Sequence, residues 1–201
     1  MNLSRVPLFI WFLIPTVLIV GIGVWFLSKP SVLGEQTDES KPAAVSNSVE
    51  GTVDYDIVGR QHIAQGTSGS GYNSNPPSSG PHWAAAAKNG VYDEVLPDEQ
   101  LIHNLEHGHV WIAYRPADAV LRSSTSSAGL KPGLSQDELN KLKEIVKSDD
   151  WKVVLAPRDK NEAMVALVAW GRVLSMDQFD EGKVKDFIRA YRNRGPEKTP
   201  S

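Results

Sequence analysis

The stretch PDEQLIHNLEHGHVWIAYRP, residues 97–116, holds a helix and a strand back to back. Pro97 fits the first position of a helix running from 98 to about 106. Asp98 and Glu99 put negative charge in its first turn, where the helix dipole is positive, and Gly108 stands just past its end. The apolar run Val110, Trp111, Ile112, Ala113 and Tyr114 follows at once as a strand and stops at Arg115-Pro116.

Working outward from there, Ser135 with Glu138 three residues on forms a capping box. Leu139, Leu142, Ile145 and Val146 supply the apolar stripe of the helix it opens. Residues 151–156 and 164–170 read as two further strands joined through the polar turn 157–161. A last helix spans about 180–194, with Val184, Phe187, Ile188 and Tyr191 at helical spacing. The expected class is therefore α+β, a small, mainly antiparallel sheet with packed helices. Trp111, Trp151 and Trp170 are expected to face packed neighbours. Upstream, TSGSGYNSNPPSSGPH (67–82) fits neither template. It is far longer than a usual loop of about 4–6 residues, and its Pro-Pro and Gly-Pro steps argue for a fixed path.

The N-terminus has a different composition. PLFIWFLIPTVLIVGIGVWFL (7–27) is uncharged and about as long as a helix needs to cross a bilayer, and no small-residue cleavage site follows it. The expected organisation is a short cytoplasmic N-terminus (1–6), one N-terminal transmembrane helix (7–27) and a flexible linker rich in Ser, Pro and Glu (28–50). A single extracytoplasmic α+β domain (51–196) and a frayed tail (197–201) follow. The protein is thus expected in the cell membrane, single-pass, with the membrane itself as one partner. A net charge of -3 carries no polybasic footprint, which disfavours nucleic acid as another. No protein partner can be read from the chain. The absence of cysteine removes disulfides, thiolate metal sites and cysteine nucleophiles, leaving His, carboxylate or Met for any metal chemistry.

All 5 histidines fall between His62 and His109. His103 and His107 are i, i+4 on the expected helix, so both rings leave one face. His109 lies beyond the Gly108 turn, and the Pro-rich loop ends on His82. His82, His103, His107 and His109 are therefore the candidate ligands of one divalent transition metal, zinc or copper, with His62 a less definite member. Met164 or Met176 as thioether ligands would favour copper, although methionines in such strands commonly fill core space. A histidine near a helix C-terminus also has an ordinary structural use, since it interacts well with the dipole.

His103-Asn104-Leu105-Glu106-His107 matches H-x-x-E-H, in which two histidines hold zinc and the glutamate activates water. On that alternative Glu106 is the catalytic base of a zinc-dependent hydrolase. No downstream acid sits in a recognisable ligand motif, however, and Gly108 breaks the helix directly after the second histidine. A third alternative is a non-catalytic interaction module of an envelope complex.

Several segments together, YNSNPPSSGPH (72–82), GVYD (90–93), HNLEHGHV (103–110), AWGR (169–172) and YRNRGPE (191–197), resemble the bacterial domain of unknown function 3105 family. The resemblance covers most of the chain from His62 onward. It implies a small, often membrane-anchored bacterial protein and carries no catalytic residue with it.

Overall fold

In the computed structural model the described residues are 40–42, 47–117 and 132–199. Helix α1, Asp98–Glu106, and strand β5, Val110–Tyr114, form where the 97–116 stretch places them, with Gly108 at φ 80° turning the chain between them. β5 lies inside a six-stranded sheet. It pairs parallel with β6 (Val153–Pro157) on one side and antiparallel with β7 (Val165–Ala169) on the other. With β1 (Val53–Asp54), β4 (Gly90–Val91) and β8 (Arg172–Met176), the order is β1-β8-β7-β5-β6-β4. The fold is α+β with a mainly antiparallel sheet and, among the described residues, three helices.

Both faces of the sheet are covered, so β5, β6 and β7 are buried at every position and read as unbroken apolar runs. On one face, Val110, Ile112, Leu155, Leu167 and Leu174 pack against α2 (Gln136–Ser148) and α3 (Glu181–Tyr191) through Leu142, Val146, Val184, Phe187 and Tyr191. On the other, Trp111, Ala113, Val154 and Val168 receive Leu101, Ile102 and Leu105 of α1. The capping box at α2 is formed: the Ser135 hydroxyl accepts from the Glu138 N–H, and the Glu138 carboxylate accepts from the Ser135 N–H.

Sequence and structure differ at several places. The strands at 153–157 and 165–169 are not neighbours, because β5 lies between them. The 157–161 turn therefore passes the end of β5, fastened by buried Arg158 to Asp98 and by Asn161 to the Ala113 carbonyl. β8 forms where the sequence pattern predicts no strand. It returns from β7 across Trp170-Gly171, with Gly171 at φ 69°, and its buried Arg172 pairs with Asp54. Trp151 precedes β6 and is 38% exposed, its ring covered by the Arg192 guanidinium at 5.1 Å, so it is no core residue.

Val49 packs against the core and its N–H donates to the Tyr191 hydroxyl, the Glu197 N–H donates to the Glu106 carbonyl, and the Thr199 carbonyl accepts from Lys152. The expected membrane helix at 7–27 lies outside the described residues. Among those described, no helix is long and apolar enough to cross a membrane.

Beside the main sheet lies a second, two-stranded one, β2 (His62–Ile63) parallel to β3 (His82–Trp83). The 67–82 loop that ends on β3 follows a fixed course. Its Ser78 and Ser79 are fully buried, the Tyr72 hydroxyl donates to the Pro81 carbonyl, and the Trp83 indole donates back to Thr67.

Candidate metal centre

Residue pairing in the small sheet sets His62 directly opposite His82, so both imidazoles leave the same side of the ribbon. On α1, His103 and Glu106 are i, i+3 and share a face. The ribbon and the helix pack so that these four side chains meet. Each offers one ligand atom, and all four atoms lie within 4.8 Å of one another. The His82 Nε2 is 2.9 Å and the His62 Nε2 3.8 Å from the Glu106 Oε2. The three ring centroids are 4.9–5.2 Å apart. His82, His103 and Glu106 are buried, whereas the His62 side chain is 51% exposed and leaves the group open to solvent on that side.

Hydrogen bonding fixes the ring of His82. Its Nδ1 stands 2.7 Å from the Gly80 carbonyl, which can only accept, so Nδ1 carries the proton and Nε2 is aimed at Glu106. A ligating histidine is commonly oriented in this way, with one ring nitrogen donating to a carbonyl and the other presented to the metal. Burial pushes the His82 pKa down, but the Glu106 carboxylate and the Gly80 carbonyl outweigh it and hold the pKa above the usual histidine range. For Glu106, burial pushes upward, and the contact with His82 more than reverses it, so the carboxyl stays ionised.

His103 differs. Its burial and the neighbouring imidazoles push its pKa down to about 4, and its Nδ1 is buried without a hydrogen-bond partner among the described residues. Leaving such an atom unsatisfied costs about 1–3 kcal/mol. Three imidazoles around one carboxylate, one of them with an orphaned nitrogen, fit a transition ion such as zinc or copper. Calcium and magnesium prefer all-oxygen shells. The His-His-His-Glu group could hold a metal ion.

Of the four histidines expected as ligands, the structure brings His82 and His103 together and adds His62 and Glu106. His107 packs edge-on against His103 with centroids 4.4 Å apart, but its Nε2 faces Glu197 at 3.3 Å and lies outside the group. His109 turns away from the cluster. Its Nδ1 donates to the Asn104 carbonyl at 2.9 Å and its Nε2 meets the Asn89 side-chain amide at 2.8 Å, a structural pairing that uses both nitrogens. Met164 and Met176 sit in the α2/α3 core, on the other face of the sheet from α1. Glu106 stands within the His62/His82/His103 group, 2.9 Å from His82, while His107, the second histidine of the H-x-x-E-H match, lies outside it.

His109 is also pushed to about 4, burial outweighing its bond to Asn104. Unfolded, His103 and His109 titrate near about 6.5. Between pH 6.5 and 4 the unfolded chain therefore binds protons that the folded one refuses, and stability falls as pH is lowered through that window. His82, held high, acts in the opposite sense: its contribution is lost as pH rises through its folded pKa. With two depressed groups against one raised, the chelator-treated protein should be less stable at pH 5 than at pH 7. His109→Gln should flatten that slope by about one proton in denaturant melts followed against pH.

Fold and site together define a small α+β domain with a half-open His-His-His-Glu cluster between a helix and a two-stranded ribbon. The chain belongs to the family described as protein of unknown function (DUF3105), which it matches over residues 62–125 and 129–201, a span that includes all four cluster residues. Searches of curated proteins and of solved structures returned no match.

Proposed function

We propose that this protein is a membrane-tethered, extracytoplasmic domain that binds one divalent transition metal through His62, His82, His103 and Glu106. The observation that carries this reading is the convergence of three imidazoles on one buried carboxylate, with His103 Nδ1 without a hydrogen-bond partner among the described residues. A core built only for stability would not gather these groups, since burying His82, His103 and Glu106 costs desolvation and His103 Nδ1 gains no hydrogen bond among the described residues in return. Zinc and copper both suit the donor set. The exposed His62 leaves the ion within reach of solvent, as suits a site that exchanges metal or offers it an outside ligand. Tethering by residues 7–27 rests on their uncharged, spanning length, and the outward orientation goes with a short N-terminus kept inside.

The test is metal content and thermal stability of the full chain, solubilised in detergent and carrying no His-tag. Zinc or copper should bind at one equivalent and raise the melting temperature. At a free concentration of about a thousand times Kd the stabilisation is about 4 kcal/mol. His103→Ala should abolish the shift and His109→Gln should keep it. A metal-free chain with no response to either ion would overturn the reading in favour of an interaction module.

A further inference from the structure

His107 and Glu197 sit just outside the cluster without belonging to it, and the C-terminal segment that brings Glu197 there does not need its carboxylate. Glu197 N–H donates to the Glu106 carbonyl, and the Lys152 ammonium donates to the His107 and Thr199 carbonyls and to Asn193 Oδ1. Gly195 lies so close to the end of α1 that an added Cβ would stand 2.2 Å from the Glu106 carbonyl oxygen, so the chain passes there only as glycine. Backbone contacts thus dock the tail, and the Glu197 carboxylate is left over to face His107.

Their spacing suits a metal. Two donors each about 2.0–2.1 Å from a tetrahedral ion stand about 3.3–3.4 Å apart. The His107 Nε2 and Glu197 Oε2 are 3.3 Å apart. Exposure is graded inward, with side chains 49% exposed at Glu197 and 20% at His107, and with His103 buried. The His103 ring is 4.4 Å from that of His107 and is itself a member of the buried cluster, so it adjoins both groups. Among the described residues, the solvent side of the cluster at His62 offers one exposed donor, whereas His107 and Glu197 offer two.

We infer that His107 and Glu197 form an outer, weaker metal position through which a divalent transition ion reaches the buried His62/His82/His103/Glu106 cluster by way of His103. This inference rests on the metal-binding reading above. A loading position lowers the barrier in both directions, so it changes uptake and release together and leaves the equilibrium affinity of the inner site unaltered.

The test is stopped-flow uptake of Zn2+ alone by the metal-free full chain, with chelator-driven release measured on the same samples. Glu197→Gln and His107→Gln should each slow uptake and release by about tenfold or more while Kd stays within about twofold. Melting temperatures in chelator establish that the tail remains docked, and Glu197→Gln retains the backbone contacts should His107→Gln fold poorly. Unchanged rates in both variants would overturn the inference and direct traffic through His62. A tenfold loss of affinity at unchanged uptake rate would also overturn it, making His107 or Glu197 a ligand of the inner site. A wild-type chain that takes up no Zn2+ would overturn the metal-binding reading itself, an outcome distinct from normal binding at unaltered speed.

Discussion

His82→Ala is expected to remove metal binding and a large part of the domain's stability together. His82 is fully buried, and its Nε2 is the closest partner of the buried Glu106 carboxylate, at 2.9 Å. Without it Glu106 is left with only the more distant, half-exposed His62 at 3.8 Å, or must take up a proton. Breaking a buried pair from one side costs about 3–5 kcal/mol. One ligand of four is lost as well, and affinity for zinc should fall by at least about 100-fold, more than the loss of an outer partner produces. The double variant His82→Ala/Glu106→Gln separates the two effects, since neutralising the stranded carboxylate should restore part of the melting temperature and none of the metal affinity. Thermal melts and zinc titrations on the same samples read both. If the single variant kept its affinity, His82 would not be a ligand.

The second large effect belongs to the sheet. Trp111 on β5 is 1% exposed and packs with Leu101, Leu105 and Val168 between the sheet and α1, so Trp111→Ala opens a cavity beneath the helix that bears His103 and Glu106. Truncating a buried aromatic of this size costs about 3–5 kcal/mol, a substantial part of the roughly 5–15 kcal/mol that holds a domain together. The melting temperature should drop by about 10 °C. Trp151→Ala, at the exposed position beside Arg192, should stay within about 0.5 kcal/mol, the range of ordinary surface changes. Equal losses from the two would mean that Trp111 does not carry the α1 layer.

What the chain reveals before folding is local. Residues 97–116 announce α1 and β5 because Pro97, the first-turn acids, Gly108 and Arg115-Pro116 each act on their own neighbours. The Ser135–Glu138 capping box is legible for the same reason. β8 is hidden because Arg172 and Ser175 interrupt its apolar run, and the partners of buried Arg172, Asp54 of β1 and the Tyr191 ring among them, come from distant parts of the chain. The site divides in the same manner. His103 and Glu106 share a helix face and could be read as a pair, but the place of His62 depends on its register against His82, two residues of strand joined across a long aperiodic loop. From the sequence, the Gly108 turn lets His109 fold back toward His103 and His107; the turn forms, and it delivers the ring to Asn104 and Asn89 instead. The contacts of Gly195 and Glu197 with the end of α1 are likewise nonlocal, and no pattern within the tail announces them.

The metal shell itself is read by X-ray absorption at the metal edge of the zinc- or copper-loaded full chain, made without a His-tag. One ion per chain is expected, with three imidazole nitrogens and a carboxylate oxygen in its shell, and with one imidazole lost in His62→Ala and in His103→Ala but not in His109→Gln. A bound ion whose shell is unchanged by His62→Ala and His103→Ala, or a chain that retains no ion after gel filtration, would contradict metal binding by this cluster.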